Sequence, residues 1–208
     1  MHIAILTFDG YNELDSLIAL GILNRVREPG WRVSIASPTP WVTSMNGVTI
    51  NVTVDAGIDL EEACTADAVI VGSGIKTREV VEDPAIMSVL RGLDPERQLL
   101  AAQCSGALVL AKLGLLDDVP ACTDVTTKPW VIAAGVEVLD QPFFARGNLA
   151  TAGGCLASTY LATWTIARLH SLDAAIEAMD YVAPVGEKDE YVTRALRNVT
   201  PYLTPALT

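Results

Sequence analysis

Cys104-Ser105-Gly106 is the stretch of this 208-residue chain best suited to covalent chemistry. The residues before it, Leu99-Leu100-Ala101-Ala102-Gln103, read as a short strand that stops at the cysteine. A helix through Ala107, Leu108, Val109 and Leu110 starts at once behind it. Gly106 lets such a turn be tight, because it has no Cβ to clash. An elbow of this kind pushes one side chain out of the sheet, as the G-x-S-x-G turn does for the serine of hydrolases. The cysteine also stands at a helix N-terminus, where unpaired N–H groups and the dipole favour negative charge. The expectation is a thiol of depressed pKa, largely thiolate near neutral pH, and therefore a nucleophile rather than an inert core cysteine.

A nucleophilic cysteine usually works with a base or an acid. The chain has two histidines, His2 at the start of the first strand and His170 at the end of a late helix. Both positions suit surface or cap residues, so a Cys–His pair is not expected. Glu13 and Asp15 follow the first strand, about 200° apart on a helix, so only one of them can face the cysteine. The Gly72-Ser73-Gly74 loop also follows a buried strand. Its main-chain N–H groups, joined by that of Ser105, could form an oxyanion hole. Cys155 comes after Gly153-Gly154 and has the look of a second elbow, but is assigned to helix-to-sheet packing.

The elements that must position these residues are legible as hydrophobic runs. Buried strands are expected over 2–7, 31–36, 68–71 and 99–103, and a hairpin over 42–54 turning at Asn46-Gly47. A late strand pair is expected at 143–145 and 149–152 around Arg146-Gly147-Asn148. Helices are expected from Asn12 through Leu23, from Pro84 through Leu90, after Cys104, over 130–135, over 156–169 and over 171–182. Strands alternating with helices give an α/β fold with a mainly parallel sheet covered on both sides, in one domain over 1–208. In such sheets, ligands bind outside the carboxyl ends of the strands.

Composition narrows the partners. Fourteen Lys and Arg stand against 25 Asp and Glu, a formal charge of −11, which would repel nucleic acid and anionic membrane surfaces alike. No apolar run is long enough for a membrane span. Four cysteines and no basic leader at the N-terminus suit a reduced, cytoplasmic protein. No Walker-type loop and no C-x-x-C pair is present, so neither a cofactor nor a metal is expected.

Taken together, these motifs resemble the ThiJ/PfpI superfamily, with its class I glutamine amidotransferase-like, flavodoxin-like three-layer sandwich. The likeness rests on Phe8-Asp9-Gly10 with Leu14-Asp15, on residues 67–74, and on Ala102-Gln103-Cys104-Ser105-Gly106-Ala107. It continues through Gly114-Leu115-Leu116-Asp117 and residues 146–154. Within the superfamily the pattern is most similar to the isonitrile hydratases and to the ligand domains of some transcription regulators. The resemblance implies Cys104 as nucleophile and Asp15, rather than Glu13, as the acid facing it. It further implies Ser105 as the hydroxyl residue beside the cysteine, and Gly72, Ser73 and Gly74 as oxyanion-binding. Asp124 falls where the family often carries a histidine, with Val125 in place of the usual aromatic, and is expected with Gly72, Ser73 and Gly74 on the substrate-binding surface. Asp124 cannot serve as an imidazole base, so the protease, deglycase and glyoxalase readings lose ground.

The activity this implies is hydration or hydrolysis of a small, mostly uncharged molecule, with isonitrile converted to an N-substituted formamide. The alternative is a redox sensor or small-ligand-binding protein with an oxidisable Cys104. A regulator's ligand domain is less favoured, since the chain carries no helix-turn-helix extension. A homodimer is expected from the apolar helices over 17–23 and 156–169 and from the resemblance.

Overall fold

A computed structural model describes residues 1–52 and 57–203. Thr53 and Val54, the far end of the expected hairpin, lie outside the described residues. The strands are β1 (His2–Leu6), β2 (Arg32–Ala36), β3 (Trp41–Thr43), β4 (Thr49–Asn51), β5 (Gly57–Ile58), β6 (Ala68–Val71), β7 (Leu99–Gln103), β8 (Phe143–Arg146) and β9 (Leu149–Ala152). The helices are α1 (Glu13–Leu23), α2 (Leu60–Ala63), α3 (Thr77–Glu82), α4 (Pro84–Leu90), α5 (Gly106–Lys112), α6 (Lys128–Ala133), α7 (Ser158–Leu169), α8 (Leu172–Val182) and α9 (Lys188–Val199).

One sheet of seven strands, ordered β5-β2-β1-β6-β7-β9-β8, carries the chain; β3 and β4 pair separately as an antiparallel hairpin. Every pairing in the large sheet is parallel except that of β8 with β9. The strands β2-β1-β6-β7-β9 follow the flavodoxin-like order, in which the chain reverses its direction of travel between β1 and its third-strand neighbour. The fold class is the one the hydrophobic runs require.

Side chains alternate across the central strands, as a strand's period of two demands. Ala4, Leu6, Val69, Val71, Leu100 and Ala102 face one layer, packed by α2 to α6. Ile3, Ile5, Ala68, Ile70, Leu99 and Ala101 face the other, packed by α1, α7, α8 and α9. Because both faces are covered, the strands read as unbroken apolar runs rather than alternating ones.

Helix starts follow local capping chemistry. The Asn12 side chain accepts from the Leu14 N–H at the start of α1, and Asp83 caps α4 ahead of Pro84. The apolar surface of α7 was expected to serve a second copy. Leu161, Ala162, Trp164 and Ile166 are instead buried against this chain's own sheet. The apolar positions of this helix are core positions, and the chain's own strands supply the burial. The helix α9 has no counterpart among the expected elements; Val192, Ala195 and Val199, at i, i+3 and i+7, are its signal.

Candidate active site

Cys104 follows directly on β7 with φ of 47°, a left-handed conformation that costs a non-glycine residue free energy and is retained where the surroundings enforce it. Gly106 explains the enforcement. A Cβ there would lie 2.4 Å from the Val71 carbonyl oxygen and 2.9 Å from that of Gly72, so only glycine lets α5 leave the sheet at this angle. Gly106→Ala is expected to cost about 2 kcal/mol or more, the scale of overpacking against rigid backbone, read as a lower urea midpoint with an unchanged slope.

The elbow delivers the thiol to the carboxyl ends of β1, β6 and β7, where the exit loops converge. A cavity of about 350 Å³ opens there, lined among others by Asp15, Ser73, Cys104, Ser105, Asp124 and Cys155, with Met45, Ile75 and Trp130 as apolar walls. Cys104 is only 4% exposed yet lines that cavity, so it is not sealed in the core.

Asp15 is fully buried in the first turn of α1 and takes a hydrogen bond from the Ser73 hydroxyl on Oδ2. Its Oδ1 is buried without a partner. The donor atoms of Asp15, Cys104 and Cys155 lie within 4.8 Å of one another, the tightest grouping of its kind among the described residues and one a thiophilic cation could also bridge. Each sulfur accepts from an amide: Gln103 Nε2 lies 3.3 Å from Cys104 Sγ, and Asn12 Nδ2 lies 3.3 Å from Cys155 Sγ. Glu13, the rejected acid, turns the other way to bind the Ser44 hydroxyl and, at 2.9 Å, Asn46 Nδ2.

Electrostatics overturn one expectation. Burial pushes the Asp15 carboxyl above the usual carboxylate range, against the hydrogen bond from Ser73 that works the other way. Burial, followed by the Asp15 charge, also pushes the Cys104 thiol up rather than down. The seven-residue α5 does offer its N-terminus, but desolvation beside a carboxyl group outweighs it. The resting cysteine is therefore a thiol, not a free thiolate. Oδ2 accepts from Ser73, which leaves Oδ1 as the Asp15 oxygen available to hold a proton.

The remaining expected residues have varied placements. The Gly72 N–H donates to the Leu6 carbonyl at 2.9 Å and so is not free to bind an oxyanion; glycine is needed there because a Cβ would lie 2.8 Å from both Leu6 O and Ser16 Oγ. The Gly74 N–H donates to Ser105 Oγ at 3.1 Å, and that hydroxyl also bonds with Thr77 Oγ1 at 2.7 Å. Ser105 thus braces the loop rather than touching the sulfur, while its main-chain N–H has no acceptor among the described residues. Asp124 reaches the cavity wall, but its Oδ1 accepts from the N–H groups of Thr126 and Thr127 at 2.9 and 3.0 Å, closing the turn before α6. Neither His2 nor His170 lines the cavity: His2 bonds with Ser34 Oγ, and His170 lies against Trp31.

Cys155 was assigned to packing and is instead part of the cavity, because β9 pairs beside β7 and brings the residues after both strands together. Its resemblance to a second elbow was the available signal.

Comparison with known proteins gives the lineage of this arrangement. The profile described as "DJ-1/PfpI family" matches residues 1–168. No curated protein matches the chain. A ThiJ/PfpI family protein from Pseudomonas syringae is similar in structure at a TM-score of 0.76 and 16% identity, over 96% of this chain and 87% of that one. Schizosaccharomyces pombe DJ-1 matches at 0.64 and 17%, over 94% and 98%. An AraC family transcriptional regulator from Pseudomonas putida matches at 0.72 and 14%, over 88% and 99%. At such identities these three likenesses speak for the fold alone.

Proposed function

The chain belongs to the DJ-1/PfpI family, and on that premise we propose that it is a cysteine-dependent hydratase of a small, mostly uncharged molecule, with an aliphatic isonitrile hydrated to an N-substituted formamide. The observation that carries this reading is the unpartnered Oδ1 of Asp15, buried beside the Cys104 thiol at a cavity with apolar walls. A protonated carboxyl group there is a proton source where no imidazole is available.

The isonitrile carbon accepts both an electron pair and a proton. Cys104 Sγ forms the bond to that carbon while the Oδ1 proton of Asp15 is delivered to it, and the thiol proton passes to the carboxylate just formed. The product is a neutral thioimidate, and Asp15 is again protonated. Water then adds to the same carbon as the nitrogen takes a proton. Collapse of the adduct breaks the C–S bond, returns a proton to sulfur and releases the formamide. Ser73 fixes the Asp15 rotamer through Oδ2, and the Gln103 amide supports charge on sulfur as it develops. The N–H of Ser105, without an acceptor among the described residues, is a donor available to stabilise the adduct. Purified protein given an aliphatic isonitrile should yield formamide, followed by proton NMR; no formamide from a reduced, correctly folded sample would reject the reading.

Among the described residues no helix is long and apolar enough to cross a membrane. All four cysteines are free, which supports a reducing compartment, and we assign the cytoplasm. We also propose a homodimer. With α7 buried, support for it comes from Leu17, Ile18, Tyr181 and Val182, which line an apolar hollow where α1 meets α8. Solution scattering should give twice the chain mass; a monomeric mass at working concentration would contradict this.

A further inference from the structure

Cys155 has no task in the hydration chemistry, yet its sulfur lies within 4.8 Å of that of Cys104, with a carboxylate oxygen of Asp15 within the same distance of both. We propose that Cys155 is a resolving thiol: after a hydroperoxide oxidises one of the two sulfurs, Cys104 and Cys155 join in an intramolecular disulfide that reversibly closes the site.

The steps balance without a further reactant. A sulfur electron pair, taken as Cys104's, attacks the peroxide oxygen; the O–O bond breaks, and the alcohol or water leaves with the thiol proton. Cys104 is then a sulfenic acid. Cys155 Sγ attacks the Cys104 sulfur, the S–O bond breaks, and the hydroxyl departs as water with the Cys155 proton. In sum, two thiols and one hydroperoxide give a disulfide, an alcohol or water, and water. The Asp15 carboxylate, within 4.8 Å of both sulfurs, is placed to carry a proton between them.

A disulfide needs the sulfurs about 2.05 Å apart, so one cysteine must move. Cys104 is fixed by its elbow, but Cys155 begins a single 3₁₀ turn, Cys155–Ala157, directly after Gly154. Gly154 is exposed at φ of 90°, and nothing lies within 4 Å of where its Cβ would be. The Gly154 carbonyl accepts from Gln103 Nε2 and from the Ala157 N–H, both at 2.8 Å, and Cys155 Sγ from Asn12 Nδ2, so closing the disulfide exchanges these bonds for the S–S bond. The other two cysteines are engaged elsewhere, Cys64 beside the Val89 carbonyl and Cys122 in the core with its N–H on Thr151.

Tryptic cleavage separates all four cysteines, Cys64 on 33–76, Cys104 on 98–112, Cys122 on 113–146 and Cys155 on 147–168. Reduced full-length protein, kept with a chelator, is treated with hydrogen peroxide, alkylated and digested for mass spectrometry. The expected dominant product is 98–112 joined to 147–168, two hydrogens lighter than the sum and separated by dithiothreitol. In Cys155→Ser, checked for native tryptophan fluorescence, 98–112 should instead gain two or three oxygens. Wild type with oxygen added to 98–112 and an alkylated Cys155 would overturn the proposal. So would linkage through Cys64 or Cys122, or four cysteines that all stay alkylatable under excess peroxide. The readout is a mass, so it stands apart from whether an isonitrile is turned over.

Discussion

Cys104→Ala should lose formamide production by roughly a thousandfold or more, down to background, because no second nucleophile is fixed in the same place. Cys155 is the nearest sulfur, but it sits behind a glycine joint rather than on the elbow. Alanine is the appropriate replacement. It keeps the Cβ and inherits the φ of 47°, so the strain is unchanged and the stability should move little apart from lost sulfur packing. A variant that keeps its urea midpoint and loses turnover assigns the chemistry to the sulfur; one that keeps turnover removes the hydratase reading altogether. Cys104→Ser should be as inactive as alanine, since a buried hydroxyl beside a carboxyl group is far harder to ionise than a thiol.

Asp15→Asn should move two measurements in opposite directions. Formamide production should fall by about a hundredfold or more, the scale of a lost general acid. Alkylation of Cys104 should become easier. The Asp15 charge is one of the two main causes holding the thiol up, so its removal shifts the alkylation midpoint to lower pH, measured with a chelator present. A midpoint that stays put or rises would refute the electrostatic account of the pair. Glu13→Gln is the control; that carboxylate holds Ser44 and Asn46 of the hairpin and should leave both measurements unchanged.

The same substitution tests the buried carboxyl through stability. The folded chain keeps the Asp15 proton to higher pH than the unfolded chain, whose aspartates titrate near 3.9. Within that window the folded state holds the Asp15 proton more tightly, so the Asp15 contribution to stability declines as pH rises, by up to about 1.4 kcal/mol per pH unit. Urea midpoints across that range should show this decline in wild type and a shallower one in Asp15→Asn.

The elbow at Cys104 was legible because its causes are local: an apolar strand, an immediate helix and a glycine at the one place where a Cβ meets the neighbouring strand. The parallel sheet was legible too, since burial on both faces leaves unbroken apolar runs in β1, β6 and β7. Short elements such as β5, α2 and α3 escaped, having two to six residues and no room for a period to repeat. The choice between Glu13 and Asp15 could not be made from helical spacing alone, which says the two diverge but not which one faces inward.

Residue order by itself determined the layers of this protein, the turn that presents its sulfur and the loops that gather at the strand ends, because each follows from neighbours a few positions apart. Only the folded chain decided the ionisation of that sulfur and the company it keeps. Cys155 arrives from 51 positions away through the pairing of β7 with β9, and burial beside Asp15 raises the thiol where a helix dipole alone would lower it. Desolvation depends on everything packed around a group, and that sum exists only in three dimensions.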